Sequence, residues 1–266
     1  MVSLDDIELL ISLVLFSAYL EGEKPLSAMI VSKVESGKSK LLERFSDTPG
    51  TVWVTDATAW GIAKHYGPDL KTGRIKHLLF PEFSIPIGRK FETVQMLDNF
   101  LCGLIEEGIG EIVSFRYKAR ARAPYGCGVI ICISNQDFKD KEKHWFRIGL
   151  MSRLLPISYD YSDTTRSQIM DYIKERAYQK ETKITLNLPS SSVKVDLPRR
   201  IADRLEGITQ MMITGTELYG FRWQRHLQRL AMASALMRGD DTVRDIDFDL
   251  VWNLREYLNK DCTKQI

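Results

Sequence analysis

The sequence predicts an α/β fold in which a parallel sheet is followed by a smaller helical part, and three observations predict it. Short apolar runs alternate with helical stretches as far as about residue 160, the pattern of strands joined by crossover helices. After Tyr161 the buried-strand signal fades and only helical spacing remains. The chain of 266 residues, 44% hydrophobic, is also large enough to bury a substantial core. The division falls into an α/β core over 1–162 and a helical domain over 163–266.

Residues 4–19 can cover most of a helix surface with apolar side chains, and Glu21-Gly22-Glu23-Lys24-Pro25 ends that helix. The run 26–31 is mostly apolar, as in a strand covered on both faces, and after Gly37 helical spacing resumes over 38–45. Further strands are expected at 51–54, 75–80, 128–133 and 154–159, with a helix over 91–107. The later helices fall at 167–179, 198–214, 221–237 and 245–259. A polar stretch, 180–196, with Pro189 and three serines, separates the first of these from the rest.

Composition narrows the function. The net charge of +2, from 37 basic and 35 acidic residues, excludes a polybasic coat for nucleic acid, so any such contact must be local. Cys102, Cys127, Cys132 and Cys262 have no zinc-ligand spacing and are too few to build the fold by disulfides, which points to a reducing cytoplasm. The apolar opening follows Asp5 and Asp6 and is interrupted by Glu8, which suits neither a signal peptide nor a membrane span. His65, His77, His144 and His226 are scattered without ligand spacing.

Between the expected strand and helix lies Ser32-Lys33-Val34-Glu35-Ser36-Gly37-Lys38-Ser39. A phosphate loop of the form GxxxxGK[ST] works because backbone N–H groups at a strand-to-helix turn surround phosphates. The lysine reaches the β and γ oxygens and the hydroxyl ligates magnesium. Gly37, Lys38 and Ser39 are in place, with Ser32 where the first glycine would stand. The competing reading is an ordinary turn with solvated residues at a helix start.

Other segments follow in a telling order. The strand 75–80 leads through Pro81 to Glu82, a carboxylate that could polarise an attacking water. The strand 128–133 ends in Ser134-Asn135, and Leu150-Met151-Ser152-Arg153-Leu154-Leu155 comes next. Towards the end stand Phe221-Arg222, Arg229-Leu230-Ala231, Ala233, Ala235, Val243 and Asp247. In this order the segments resemble the AAA+ ATPases, most closely the motor module of the MCM replicative helicases, and the likeness runs from about residue 28 to 258. The resemblance does not extend to the N-terminal DNA-binding domain and zinc ribbon of that family.

The resemblance implies a P-loop core with a helical lid, binding ATP with Mg2+ at Ser39. It implies Glu82 as the base for water, Asn135 as sensor 1 and Arg222 as sensor 2. Arg153 would be a finger reaching a neighbour's nucleotide in a homo-oligomeric ring, with Lys38, Ser39, Glu82, Asn135 and Arg222 of one subunit facing Arg153 of the next. Pro81 stands where the family's aspartate would be, and Thr55 to Gly61 sits at the place of a further loosely matching family stretch.

Arg116, Lys118, Arg120 and Arg122 recur at every second position, so a strand over 112–123 would project all four cations from one face. Aligned cations repel unless an anion neutralises them, which makes a phosphate backbone a sensible partner. Glu106, Glu107 and Glu111 offer the alternative of a salt-bridged, solvated strand. The family places a DNA-gripping hairpin just before sensor 1, so DNA is the expected partner and translocation, unwinding or loading the expected work. Two rivals stand beside it. Ser32 and Pro81 suit a nucleotide-gated scaffold with weak or no hydrolysis, whereas Tyr117 and Tyr125 suit a protein-remodelling ATPase.

Overall fold

The strand Ala28–Ser32 (β1) buries every residue, and its side chains divide by parity. Ala28 and Ile30 enter one apolar cluster, Met29 and Val31 another. The same split recurs on Gly128–Ser134 (β6), where Ile130 and Cys132 face one cluster and Val129, Ile131 and Ile133 the other. Period-two alternation of this kind, with no polar face, is what a sheet covered on both sides requires. The computed structural model describes residues 3–114, 117–215, 218–259 and 265–266.

Among the described residues the chain runs α1 (Asp5–Phe16), β1, α2 (Lys38–Glu43), β2 (Thr51–Trp53), α3 (Ala59–His65), α4 (Gly67–Lys71) and β3 (His77–Phe80). It continues through α5 (Ser84–Ile87), α6 (Phe91–Cys102), a π-helical turn Gly103–Glu107, β4 (Ile109–Ser114), β5 (Tyr117–Tyr125), β6 and α7 (Asn135–Arg147). The last elements are β7 (Leu155–Ser158), α8 (Asp163–Lys174), α9 (Arg199–Ile213), α10 (Phe221–Met237) and α11 (Asp245–Leu254). The fold is therefore α/β, with one sheet of five strands in the order β2-β3-β6-β1-β7. All its pairs are parallel, so every strand ends at the same edge.

One apolar cluster joins this sheet to α1, α2, α9, α10 and α11, and the other joins it to α3, α4, α6 and α7. The first is continuous across residue 162, since Leu10 and Ile30 share it with Leu205, Leu230 and Val251. Residues 180–196 do more than separate elements. Ile184, Leu186 and Leu188, then Val193 and Val195, pack at alternate positions against that cluster, and Val193 bridges to Leu20. Polar residues between them hide this pattern from a composition reading.

Two expected elements differ in form. The helix over 91–107 changes to a π turn after Cys102, and Glu106 and Glu107 lie in that turn. The single strand over 112–123 is instead a hairpin, β4 against β5, pairing Glu111 with Arg120 and Val113 with Lys118. Helix α8 starts at Asp163, earlier than its periodicity suggests, because the Ser162 hydroxyl caps the Thr165 N–H at 3.1 Å. No helix among the described residues is long and apolar enough to cross a membrane.

Candidate phosphate site and the arginines at the opposite edge

The loop after β1 is braced from β7 and the residues that follow it. Ser32 donates its hydroxyl to the Tyr159 carbonyl at 2.8 Å, and Lys33 pairs with Asp160 at 2.6 Å. The Tyr159 and Tyr161 hydroxyls both donate to the Ser36 carbonyl, at 3.0 and 2.7 Å. Burial raises both phenols, Tyr161 to about 12, so both remain donors. Ser32 therefore has a structural task at the position where a glycine was expected.

Gly37 has φ 81°, the left-handed region that glycine enters without cost, and Glu35 has φ 64°. A non-glycine residue held there stores strain of about 1–3 kcal/mol, which persists only where the surroundings impose it. Lys38 follows, 8% exposed, and its ammonium turns back into the loop. It donates to the Ser32 carbonyl at 3.1 Å, the Lys33 carbonyl at 2.6 Å and the Ser36 hydroxyl at 3.2 Å. A cation held among acceptors at the mouth of a loop is placed to exchange some of them for the oxygens of a phosphate.

Sheet order brings the next residues to the same edge. Because β6 lies between β1 and β3, Asn135 at its end falls between the loop and Glu82. Ligands of open parallel sheets sit outside these strand ends. Ser39 donates its hydroxyl to the Pro81 carbonyl at 2.7 Å, which joins the start of α2 to the end of β3. Cys132 on β6 reaches the Lys38 carbonyl at 3.7 Å. Glu82 is exposed and accepts from Ser84; Asn135 is half-buried. Lys38, Ser39, Glu82 and Asn135 are thus collected at one edge, with Lys33, Val34, Glu35 and Ser36 forming the loop.

Arg153 and Arg222 are not there. Arg153 stands just before β7, hence at the sheet edge opposite the loop, separated by about five residues of strand, roughly 16 Å. It donates to the Gly149 carbonyl at 2.8 Å and pairs with Glu107. Arg222, expected beside Lys38, is instead with Arg153. Its guanidinium donates to the Ser152 hydroxyl at 2.9 Å and to Glu106 at 3.2 Å. The reason is the stripe Arg222, Arg225 and Arg229 along α10, which meets Glu106 and Glu23 at the strand starts while the apolar face of α10 packs on α1.

The hairpin also leaves from this opposite edge, since β5 runs into the start of β6. Lys118, Arg120 and Arg122 occupy alternate positions of β5, and Arg120 is exposed. Arg116 lies outside the described residues. Tyr125 is buried at the hairpin base in the second cluster. Among the described residues no group of histidine, cysteine and carboxylate side chains could hold a metal unaided. No protein-family model matches the chain, and no curated protein is significantly similar to it.

Sequence reasoning missed the bracing tyrosines and the Ser39–Pro81 contact. Tyr159 and Tyr161 follow a strand that is far from the loop in sequence, and a contact to a backbone carbonyl leaves no signature in residue type.

Proposed function

We propose that the chain is a P-loop nucleotide-binding protein whose complete sites form between subunits. More particularly, we read it as an AAA+ ATPase of the MCM motor type, an oligomeric ring that couples ATP binding and hydrolysis to movement along DNA. The observation that carries this reading is the Lys38 ammonium seated in the loop while Ser39, its neighbour, bonds the end of β3. The sheet order supports it by collecting Glu82 and Asn135 at the same edge.

In this reading Lys38 holds the β and γ phosphates, Glu82 takes a proton from the attacking water, and Asn135 orients that water. Ser39 fits an Mg2+ ion that arrives with the nucleotide, because such an ion is held largely by phosphates and water; bound there, it would neutralise charge on the phosphates. Arg153 and Arg222 lie a strand's length from their own loop, so they serve a neighbour's nucleotide together, balancing charge on the transferred phosphoryl. The hairpin cations meet the phosphate backbone of DNA.

A second reading is favoured by one observation. Pro81 supplies a carbonyl where an aspartate would help hold magnesium, which suits a nucleotide-gated scaffold with slow turnover. Protein remodelling draws less support, because Tyr125 is buried. An ATPase assay with and without DNA separates the three. DNA-stimulated hydrolysis is expected; nucleotide binding without turnover would support the scaffold, and turnover indifferent to DNA would support remodelling.

A further inference from the structure

Each arginine read above as serving a neighbour's nucleotide is held at home by a carboxylate, and the two carboxylates are consecutive in the chain. Glu107 pairs with Arg153, while Glu106 pairs with Arg222 at 3.2 Å and with Arg225 at 3.5 Å. A guanidinium so matched offers little field to a phosphoryl group, because the carboxylate cancels most of its charge at a distance. Arg153 is not fully satisfied in this place. Its Nε–H is buried without an acceptor among the described residues, so leaving the pair forfeits an incomplete set of bonds.

Both carboxylates belong to the π turn Gly103–Glu107, a rare winding that occurs mostly as single turns, often at functional sites. Rewinding it by one residue would swing each carboxylate by about 100° around the helix axis, out of reach of its arginine. The hairpin holds the turn in its present form. Gly108, with φ 85°, is the one residue between Glu107 and β4, and its N–H donates to the Gly103 carbonyl at 2.7 Å. Just beyond β5, Cys127 donates its N–H to the Leu104 carbonyl at 3.2 Å, and a Cβ on Gly126 would lie 2.4 Å from that oxygen. Both legs of the hairpin thus rest on the π turn. A cavity of about 230 Å3 lined by Glu106, Glu107 and Pro124 leaves room for the stem to shift.

We propose that Glu106 and Glu107 are positioning residues that hold Arg222 and Arg153 off the neighbouring subunit's nucleotide, and that DNA drawn against the hairpin moves the π turn and releases them. The proposal rests on the ring-ATPase reading and adds to it the control of that site. Hydrolysis then waits on nucleic acid because the carboxylates that silence the arginines stand on the stem of the element that meets it.

The test measures ATP turnover with and without DNA in wild-type protein, Glu107→Gln and the double variant Glu106→Gln/Glu107→Gln, which keep side-chain size and remove charge. DNA should raise wild-type kcat about fivefold or more, the usual scale of coupling between two sites. In the double variant, kcat without DNA should rise to near the stimulated wild-type value, with KM for ATP nearly unchanged because the phosphate loop lies at the other sheet edge. Glu107 is exposed, so Glu107→Gln leaves the fold intact and should show part of the rise by itself. Pairs with only a structural role would lower turnover in both conditions. That result in folded Glu107→Gln, or a DNA stimulation equal to the wild-type ratio in both variants, would overturn the proposal. Wild-type turnover indifferent to DNA would overturn it while leaving the ATPase reading in place; no wild-type turnover at all would remove that reading and the proposal with it.

Discussion

The Ser39 hydroxyl donates to the Pro81 carbonyl at 2.7 Å, so the residue expected to ligate magnesium is tied to the strand end that carries Glu82. Removing this bond with Ser39→Ala should cost about 1 kcal/mol of folding stability. It should also weaken ATP binding in the presence of Mg2+ while leaving binding in EDTA nearly unchanged. Calorimetry under both conditions checks this, and equal losses in the two would detach Ser39 from the metal.

Arg153 and Arg222 share one edge, where Arg222 donates to the hydroxyl of Ser152, the chain neighbour of Arg153, and this makes a specific complementation pattern. Arg153→Ala and Arg222→Ala should each bind nucleotide normally and hydrolyse poorly. Each should regain partial activity when mixed with Lys38→Ala subunits, because some interfaces then combine an intact loop with intact arginines. Mixing Arg153→Ala with Arg222→Ala should restore less, since every interface lacks an arginine. Full turnover by either variant alone would remove it from the site.

The fold was legible where burial leaves a run of apolar residues. β1 and β6 are covered on both faces and show it in every residue. The strap over 180–196 was not, because Thr185, Asn187 and Lys194 alternate with the side chains that pack and a run of serines divides them. The strand, turn and helix around Gly37 were legible because the residues that build them are contiguous. The place of Arg222 was not, since spacing along the chain does not say which sheet edge a helix start reaches.

DNA affinity should be local and salt-dependent, because the net charge of +2 is too small for bulk attraction while Lys118, Arg120 and Arg122 alternate along β5. Replacing Lys118 and Arg120 by alanine should flatten the dependence of log affinity on log salt by about one unit for each phosphate no longer neutralised. Binding to single- and double-stranded oligonucleotides across a salt series, with ATP present, measures it. An unchanged slope would assign the hairpin charges to pairs within the protein, such as Arg120 opposite Glu111 in the ladder.

Acid should destabilise the fold before most carboxylates titrate. His77 and His226 are buried against the Leu26 and Ser152 carbonyls, and burial pushes both imidazoles down to about 4. The unfolded chain takes up these protons near pH 6.5 and the folded one near 4, so stability falls as pH drops through that window. Each histidine contributes a slope of up to about 1.4 kcal/mol per pH unit. Urea unfolding between pH 7 and 5 should show the loss, and His226→Gln should reduce its slope by about one proton; an unaltered slope would mean that His226 is charged in the fold.

In the proposed function the loop from Ser32 to Ser39 binds nucleotide phosphates through Lys38. Calorimetric titration of ATP into wild-type protein and Lys38→Ala measures this, with thermal unfolding to verify that the variant is folded. Wild-type protein should bind, and the variant should lose at least about tenfold in affinity, the scale of a charge-assisted hydrogen bond to phosphate. Equal affinity in the two proteins, or no binding by either, would contradict it.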